Sequence, residues 1–217
     1  MQRDSRPLLR IDPAGWPFIA AAAAVAVVVF MFAGPLPAVP FIVLAAAFLF
    51  FFRDPERQSP GDPTVVLSPA DGRVLVAGPA EPGAAPPGEW LQISIFLSPL
   101  DVHINRVPVS GHVMRVEFRR GRYLPAYRAE AAALNECSEV WVDHNGQPVV
   151  FRQLVGILAR RVVCRLQPGR HVEAGERYGV MKFGSRMDVF LPMTAVLCVS
   201  VGDRVTGGET VLARLPI

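Results

Sequence analysis

The sequence predicts a mainly β domain preceded by a hydrophobic helical hairpin. Three observations predict it. Residues 15–52 contain no charged side chain. Beyond Arg57, short apolar runs of strand type alternate with clusters of turn formers. Within that second region a single stretch, 126–136, has a helix-forming composition. The 217 residues therefore divide into a membrane-associated hairpin, 1–57, and a β-rich domain, 58–217.

The hairpin comes first. "PFIAAAAAVAVVVFMFA" and "FIVLAAAFLFFF" are separated by "GPLPAVP", and Pro35, Pro37 and Pro40 are expected to interrupt a helix. Helices over 18–33 and 41–52 would measure about 24 and 18 Å at 1.5 Å per residue. Each is shorter than a hydrocarbon core of about 30 Å. Arginines flank both ends: Arg3, Arg6 and Arg10 before, Arg53 and Arg57 after. Basic flanks favour the cytoplasmic side, so the hairpin enters and returns at the cytoplasmic face of the cell membrane. A cleaved signal peptide would have a shorter apolar region and a small-residue cleavage site.

The β elements follow a linker, "RQSPGDPT". "WLQISIFL" (90–97) and "VMRVEF" (113–118) alternate as half-buried strands do. Residues 149–166 form a long run with a bend at Gly156, and 195–215 read as two strands around Gly/Asp and Gly-Gly turns. Residues 78–90 read as a surface loop, and 126–136 as a short helix or lid. The net charge of +3 is not gathered into a basic stripe with aromatics, which excludes a nucleic-acid partner and suits anionic lipid head groups. Three cysteines without CxxC or Cys/His spacing argue against a disulfide framework and a metal site. They read as reduced thiols, with Cys164 and Cys198 in the core.

Four segments carry candidate chemistry. They are "PADG" with Asp71, "FLSPLDVHINRVPVSGHV" with His103, "RGRYLPAYRAEAAALNE", and "FGS" with Gly184 and Ser185. A nucleophilic serine needs a base, and a base histidine is usually oriented by a carboxylate. Ser185, His103 and Asp71 supply that set. His112, His144 and His171 are rival bases, the last two in turns that read as surface. No GxSxG elbow is present.

"SPADGRVLVAG" and "VSVGDRVTGGETVLARL" resemble the strand–turn–strand units of lipoyl- and biotinyl-type barrels, which implies a flattened β-sandwich. That likeness also opens an alternative, a membrane-tethered carrier or adaptor modified on Lys182 of "VMKFG". Carriers typically have Met where this chain has Phe183.

Taken together, "SPADG", "SPLDVHINRVPVSG", "GRYLPAYRAEAAALNE", "GILARRVV" and "GERYGVMKFGSRMDVFLP" resemble the phosphatidylserine decarboxylase family in its short prokaryotic form, from Arg53 to the C-terminus. The resemblance implies self-cleavage between Gly184 and Ser185 into a large chain, 1–184, and a small chain, 185–217, that stay together. It implies that Ser185 becomes a covalent pyruvoyl group, the only cofactor, with no metal. The substrate amine of phosphatidylserine would form a Schiff base there, CO2 would leave, and phosphatidylethanolamine would be released. His103 is then base and proton donor, and Asp71 orients and polarises it. A homo-oligomer is compatible with this reading. Two positions depart from the pattern. Longer relatives have a second histidine three residues after the first, where this chain has Arg106. Cys137 stands where relatives often have arginine.

Overall fold

The computed structural model describes residues 10–80, 83–128, 130–156, 162–181 and 185–216. The chain forms two compact units, Met1–Glu56 and Arg57–Ile217.

In the first unit, strand β1 (Arg10–Ile11) leads through a 3-10 turn, Pro13–Gly15, into helix α1 (Trp16–Ala33). The Asp12 carboxylate caps that turn, accepting from the Ala14 N–H at 2.9 Å. Helix α2 (Pro35–Phe51) returns, and β2 (Arg53–Asp54) pairs antiparallel with β1. The prolines do not interrupt the second helix as expected. The break falls at Gly34, whose φ of +87° favours glycine. Pro35 and Pro37 sit in the first turn of α2, where backbone N–H groups have no intrahelical acceptor. Only Pro40 lies deep enough to forfeit a helical hydrogen bond. The helices are therefore longer than expected, 18 and 17 residues, or about 27 and 26 Å. Ile19, Ala22, Ala26 and Ala38 are buried, and small side chains let helices approach closely. Phe18 packs against Phe48 and Phe52, each at 5.6 Å between ring centres. Phe30, Met31, Phe32 and Leu36 are exposed. Among the described residues, the stretch Pro13–Ala33 is long and apolar enough to cross a membrane.

The second unit is mainly β. Its strands are β3 (Val65–Leu67), β4 (Gly72–Pro79), β5 (Leu91–Leu97), β6 (Ile104–Arg106) and β7 (Gly111–Arg119). After the one-turn helix α3 (Ala131–Leu134) come β8 (Cys137–His144), β9 (Gln147–Leu154), β10 (Val162–Cys164) and β11 (His171–Val172). The chain ends with β12 (Arg177–Met181), β13 (Ser185–Leu191), β14 (Val196–Leu197), β15 (Arg204–Val205) and β16 (Val211–Arg214). Eight strands form one antiparallel sheet in the order β11-β7-β8-β9-β13-β5-β4-β15. Two three-stranded sheets, β10-β12-β6 and β14-β16-β3, complete the unit. The core takes Ile93, Ile95 and Leu97 of β5, Met187, Val189 and Leu191 of β13, and Tyr178 and Met181 of β12. Burial pushes the Tyr178 phenol well above its ordinary range.

Several elements differ from expectation. β5 is buried on both faces rather than one. The reason is that residues 83–90 and α3 cover the outer face of the large sheet. Ala84 packs with Ala132, Cys137 and Leu154, and Trp90 packs with Val150 and Phe190. Cys137 is thus the buried thiol; of the expected core pair, Cys164 is half-buried and packs against the core, and Cys198 is exposed. His144 is buried, not a surface turn residue, because its Nδ1 reaches the Ser110 carbonyl at 2.6 Å. Residues 195–215 form three short strands shared between two sheets rather than one pair.

Candidate active site

Strand register gathers the sequence candidates at one end of β5. Ser185 opens β13 opposite Leu97, and Arg73, two residues past Asp71, lies opposite Phe96 on the other side. His103 follows β5 after a short turn closed by Asp101, whose carboxylate accepts from the Ser98 N–H at 2.8 Å. The turn before β4 needs glycine, because a Cβ on Gly72 would lie 2.2 Å from the Phe96 carbonyl oxygen.

Ser185 is fully buried, and its Oγ has no hydrogen-bond partner among the described residues. Its neighbour across the ladder, Leu97, belongs to the core, so the hydroxyl lies on the core face of the sheet. His103 is fully buried, with Nδ1 2.9 Å from the Asp101 carbonyl oxygen. A carbonyl can only accept, so Nδ1 is the N–H donor, and in a neutral imidazole the lone pair then lies on Nε2. The His103 carbonyl accepts from the Met181 N–H at 3.2 Å, tying it to the end of β12. The Asp71 carboxylate accepts from Arg57 Nη2 at 2.7 Å and from the Gly207 N–H at 2.8 Å. Gly184 and the alternative Lys182 lie outside the described residues.

The rival histidines are elsewhere. His112 and His171 are exposed and meet edge to face at 4.9 Å on β7 and β11, at the far edge of the large sheet. Arg106 is buried, and its Nη1 donates to the Gly175 carbonyl at 3.0 Å. In the third motif Asn135 acts as a clamp. It accepts from the Leu124 N–H and donates to the Leu124 and Val155 carbonyls, joining residues 121–136 to the end of β9.

The family model described as phosphatidylserine decarboxylase matches residues 44–213. The chain is 41% identical over 206 residues to the phosphatidylserine decarboxylase proenzyme of Solibacter usitatus, covering 95% of this chain and 97% of that one. It is 42% identical over 201 residues to the proenzyme of the same name in Nitrosomonas europaea, covering 92% and 93%. A third such proenzyme, from Desulfotalea psychrophila, is 42% identical over 175 residues, with 80% and 82% covered. The chain belongs to the phosphatidylserine decarboxylase family.

Membership in this decarboxylase family lends nothing to the carrier alternative on Lys182. Two groups of buried residues in this family member were not singled out from the sequence. On the outer face, Arg186 Nε and Ser94 Oγ each donate to Asp188 Oδ1 at 2.6 Å. Ser94 Oγ in turn accepts from Arg186 Nη2 at 2.8 Å and Gln92 Nε2 at 2.9 Å. On the core face, Gln153 Nε2 donates to Asn105 Oδ1 at 2.7 Å. The signal for the first group was present: polar residues at alternate positions, 92 and 94, then 186 and 188, in two runs that pair.

Proposed function

We propose that this chain cuts itself between Gly184 and Ser185 and then decarboxylates phosphatidylserine to phosphatidylethanolamine and CO2. The observation that carries the reading is the Ser185 hydroxyl, fully buried and without a partner among the described residues, at the start of β13 opposite the end of β5 that leads to His103. A buried polar group left unpaired costs about 1–3 kcal/mol, which a fold tolerates where the group has chemistry to do.

In the cut, Ser185 Oγ attacks the Gly184 carbonyl carbon and gives its proton to His103 Nε2. The peptide C–N bond breaks and an ester forms. Loss of the Ser185 α-proton expels the Gly184 carboxylate, and water releases the nitrogen as ammonia, leaving a pyruvoyl group on residue 185. That fits the site, because position 185 is buried and its hydroxyl holds up no other contact among the described residues. A pyruvoyl group supplies a ketone for the substrate amine and a sink for the electrons that CO2 leaves behind. His103 then returns a proton to the substrate carbon. The Asp101 carbonyl holds its ring tautomer, and Asp71, fixed by Arg57 and Gly207, has the polarising role that the family pattern implies. The products of the cut, 1–184 and 185–217, stay together as a heterodimer. The exposed apolar side chains of α1 and α2 anchor the chain in the membrane, and the flanking arginines put it on the cytoplasmic face.

An intact mass spectrum tests this. A fragment 185–217, one ammonia lighter than its serine-started mass, is expected. A single uncut species would overturn the reading, and added mass on Lys182 would favour a carrier. Ser185→Ala should give one uncut chain without decarboxylase activity. Ser185→Thr keeps a hydroxyl and should cut more slowly.

A further inference from the structure

Four buried polar atoms without partners among the described residues share the region of Ser185: Ser185 Oγ, Gln153 Oε1, Asn105 Nδ2 and Ser138 Oγ. Register places them together. Ser138, Gln153 and Met187 lie opposite one another across β8, β9 and β13. Met187 faces the core, so Ser185, two residues earlier, shares its face and lies diagonal to Gln153, at about 7 Å. Asn105 faces Gln153 from β6, two residues beyond His103. The contact needs Gly179, because a Cβ there would lie 2.6 Å from Gln153 Nε2.

The two amides satisfy only half of each other. Gln153 Nε2 also donates to the Val163 carbonyl at 3.4 Å, which fixes the orientation and leaves Asn105 Nδ2 and Gln153 Oε1 unpaired among the described residues. A native fold seldom leaves such groups buried and idle. The Arg106 guanidinium, on the next residue of β6, donates instead to Gly175.

Building on the decarboxylase reading, we propose that the Asn105–Gln153 amide pair binds the carboxylate of the serine head group through the unpaired N–H donors of Asn105, which Gln153 orients. A neutral donor suits this task. The negative charge of the carboxylate disappears as CO2 leaves, so a guanidinium paired to it would stabilise the reactant more than the transition state and slow the step. An amide orients the carboxylate with a smaller penalty of that kind.

The test uses the cut full-length protein in detergent micelles. Phosphatidylserine and phosphatidylethanolamine with different acyl chains are mixed in equal amounts with sodium cyanoborohydride. Hydride transfer, with loss of one water, fixes the captured amine to the small chain, and mass spectrometry reads the acyl chains. Adducts with and without the carboxyl group are summed for each lipid. The wild type should favour the acyl chains of phosphatidylserine. Asn105→Ala should shift that ratio toward phosphatidylethanolamine by at least about tenfold, as loss of a hydrogen bond to a charged group does, and Gln153→Leu, which frees the Asn105 amide to turn, should shift it in the same direction. An unchanged ratio in cut variants overturns the proposal, since a purely structural role affects both lipids alike. If neither variant cuts, the pair belongs to self-cleavage and the carboxylate assignment also falls. A wild type that fixes neither lipid overturns the decarboxylase reading instead, before any ratio is read.

Discussion

The two faces of β13 treat their polar side chains differently. On the outer face Arg186 and Asp188 bond to each other and, through Ser94, to Gln92, and both charged side chains are buried, with Asp188 Oδ2 left without a partner among the described residues. One residue earlier, on the core face, Ser185 has no partner among the described residues, and the Asn105–Gln153 pair is half satisfied. Interlocked charges in a dry environment hold a strand in one place. Under the proposed function, unpaired groups on the opposite face then meet a reactant without first breaking a contact. On that reading, rigidity and reactivity are divided between the two sides of one strand.

Breaking the outer face should have the largest effect. Arg186→Met leaves Asp188 charged and buried, and should cost about 3–5 kcal/mol in urea unfolding. Adding Asp188→Leu to that variant should recover much of the loss, because no lone charge remains. If the single change proves as mild as the double, the outer network does not hold the strand. Gly179→Ala perturbs the core face. Its Cβ would lie 2.5 Å from the Val163 carbonyl oxygen as well as against Gln153, so about 1–3 kcal/mol should be lost to overpacking. The lipid ratio described above should move with it.

The smallest effect sharpens the contrast through thiols. Cys137, beside the outer network, should resist a thiol reagent while exposed Cys198 reacts. Burial pushes the Cys137 thiol up from its ordinary range, so the folded state favours the neutral form. That contribution is complete below the ordinary thiol range and is lost as pH rises through the raised value. Alkaline solution should therefore weaken the fold slightly, an effect that Cys137→Ala lessens in a pH series of melting curves while the share from buried Tyr178 remains.

The fold class was legible because charge-free and alternating segments report burial directly. The second helix was misread at its start, since prolines that break a helix interior are acceptable in its first turn. β5 read as half-buried because alternation reveals two faces but not what covers the second. Here residues 83–90 and α3 do so. Ser185, His103 and Asp71 stood out through their motifs. Asn105 and Gln153 did not, because a buried amide pair depends on two strands meeting across a third at Gly179, and no local spacing encodes that.

The last strands have a consequence for how the protein comes apart. β13 lies between β9 and β5, β15 edges the same sheet, and β14 and β16 belong to another, paired there with β3. Once the bond before Ser185 is cut, a short polypeptide threads two sheets with no covalent tie to the rest. Its departure would require both sheets to open, so cutting and release are separate events. Melting then becomes a dissociation governed by mass action. The midpoint for the cut protein should rise with protein concentration, and that for uncut Ser185→Ala should stay constant.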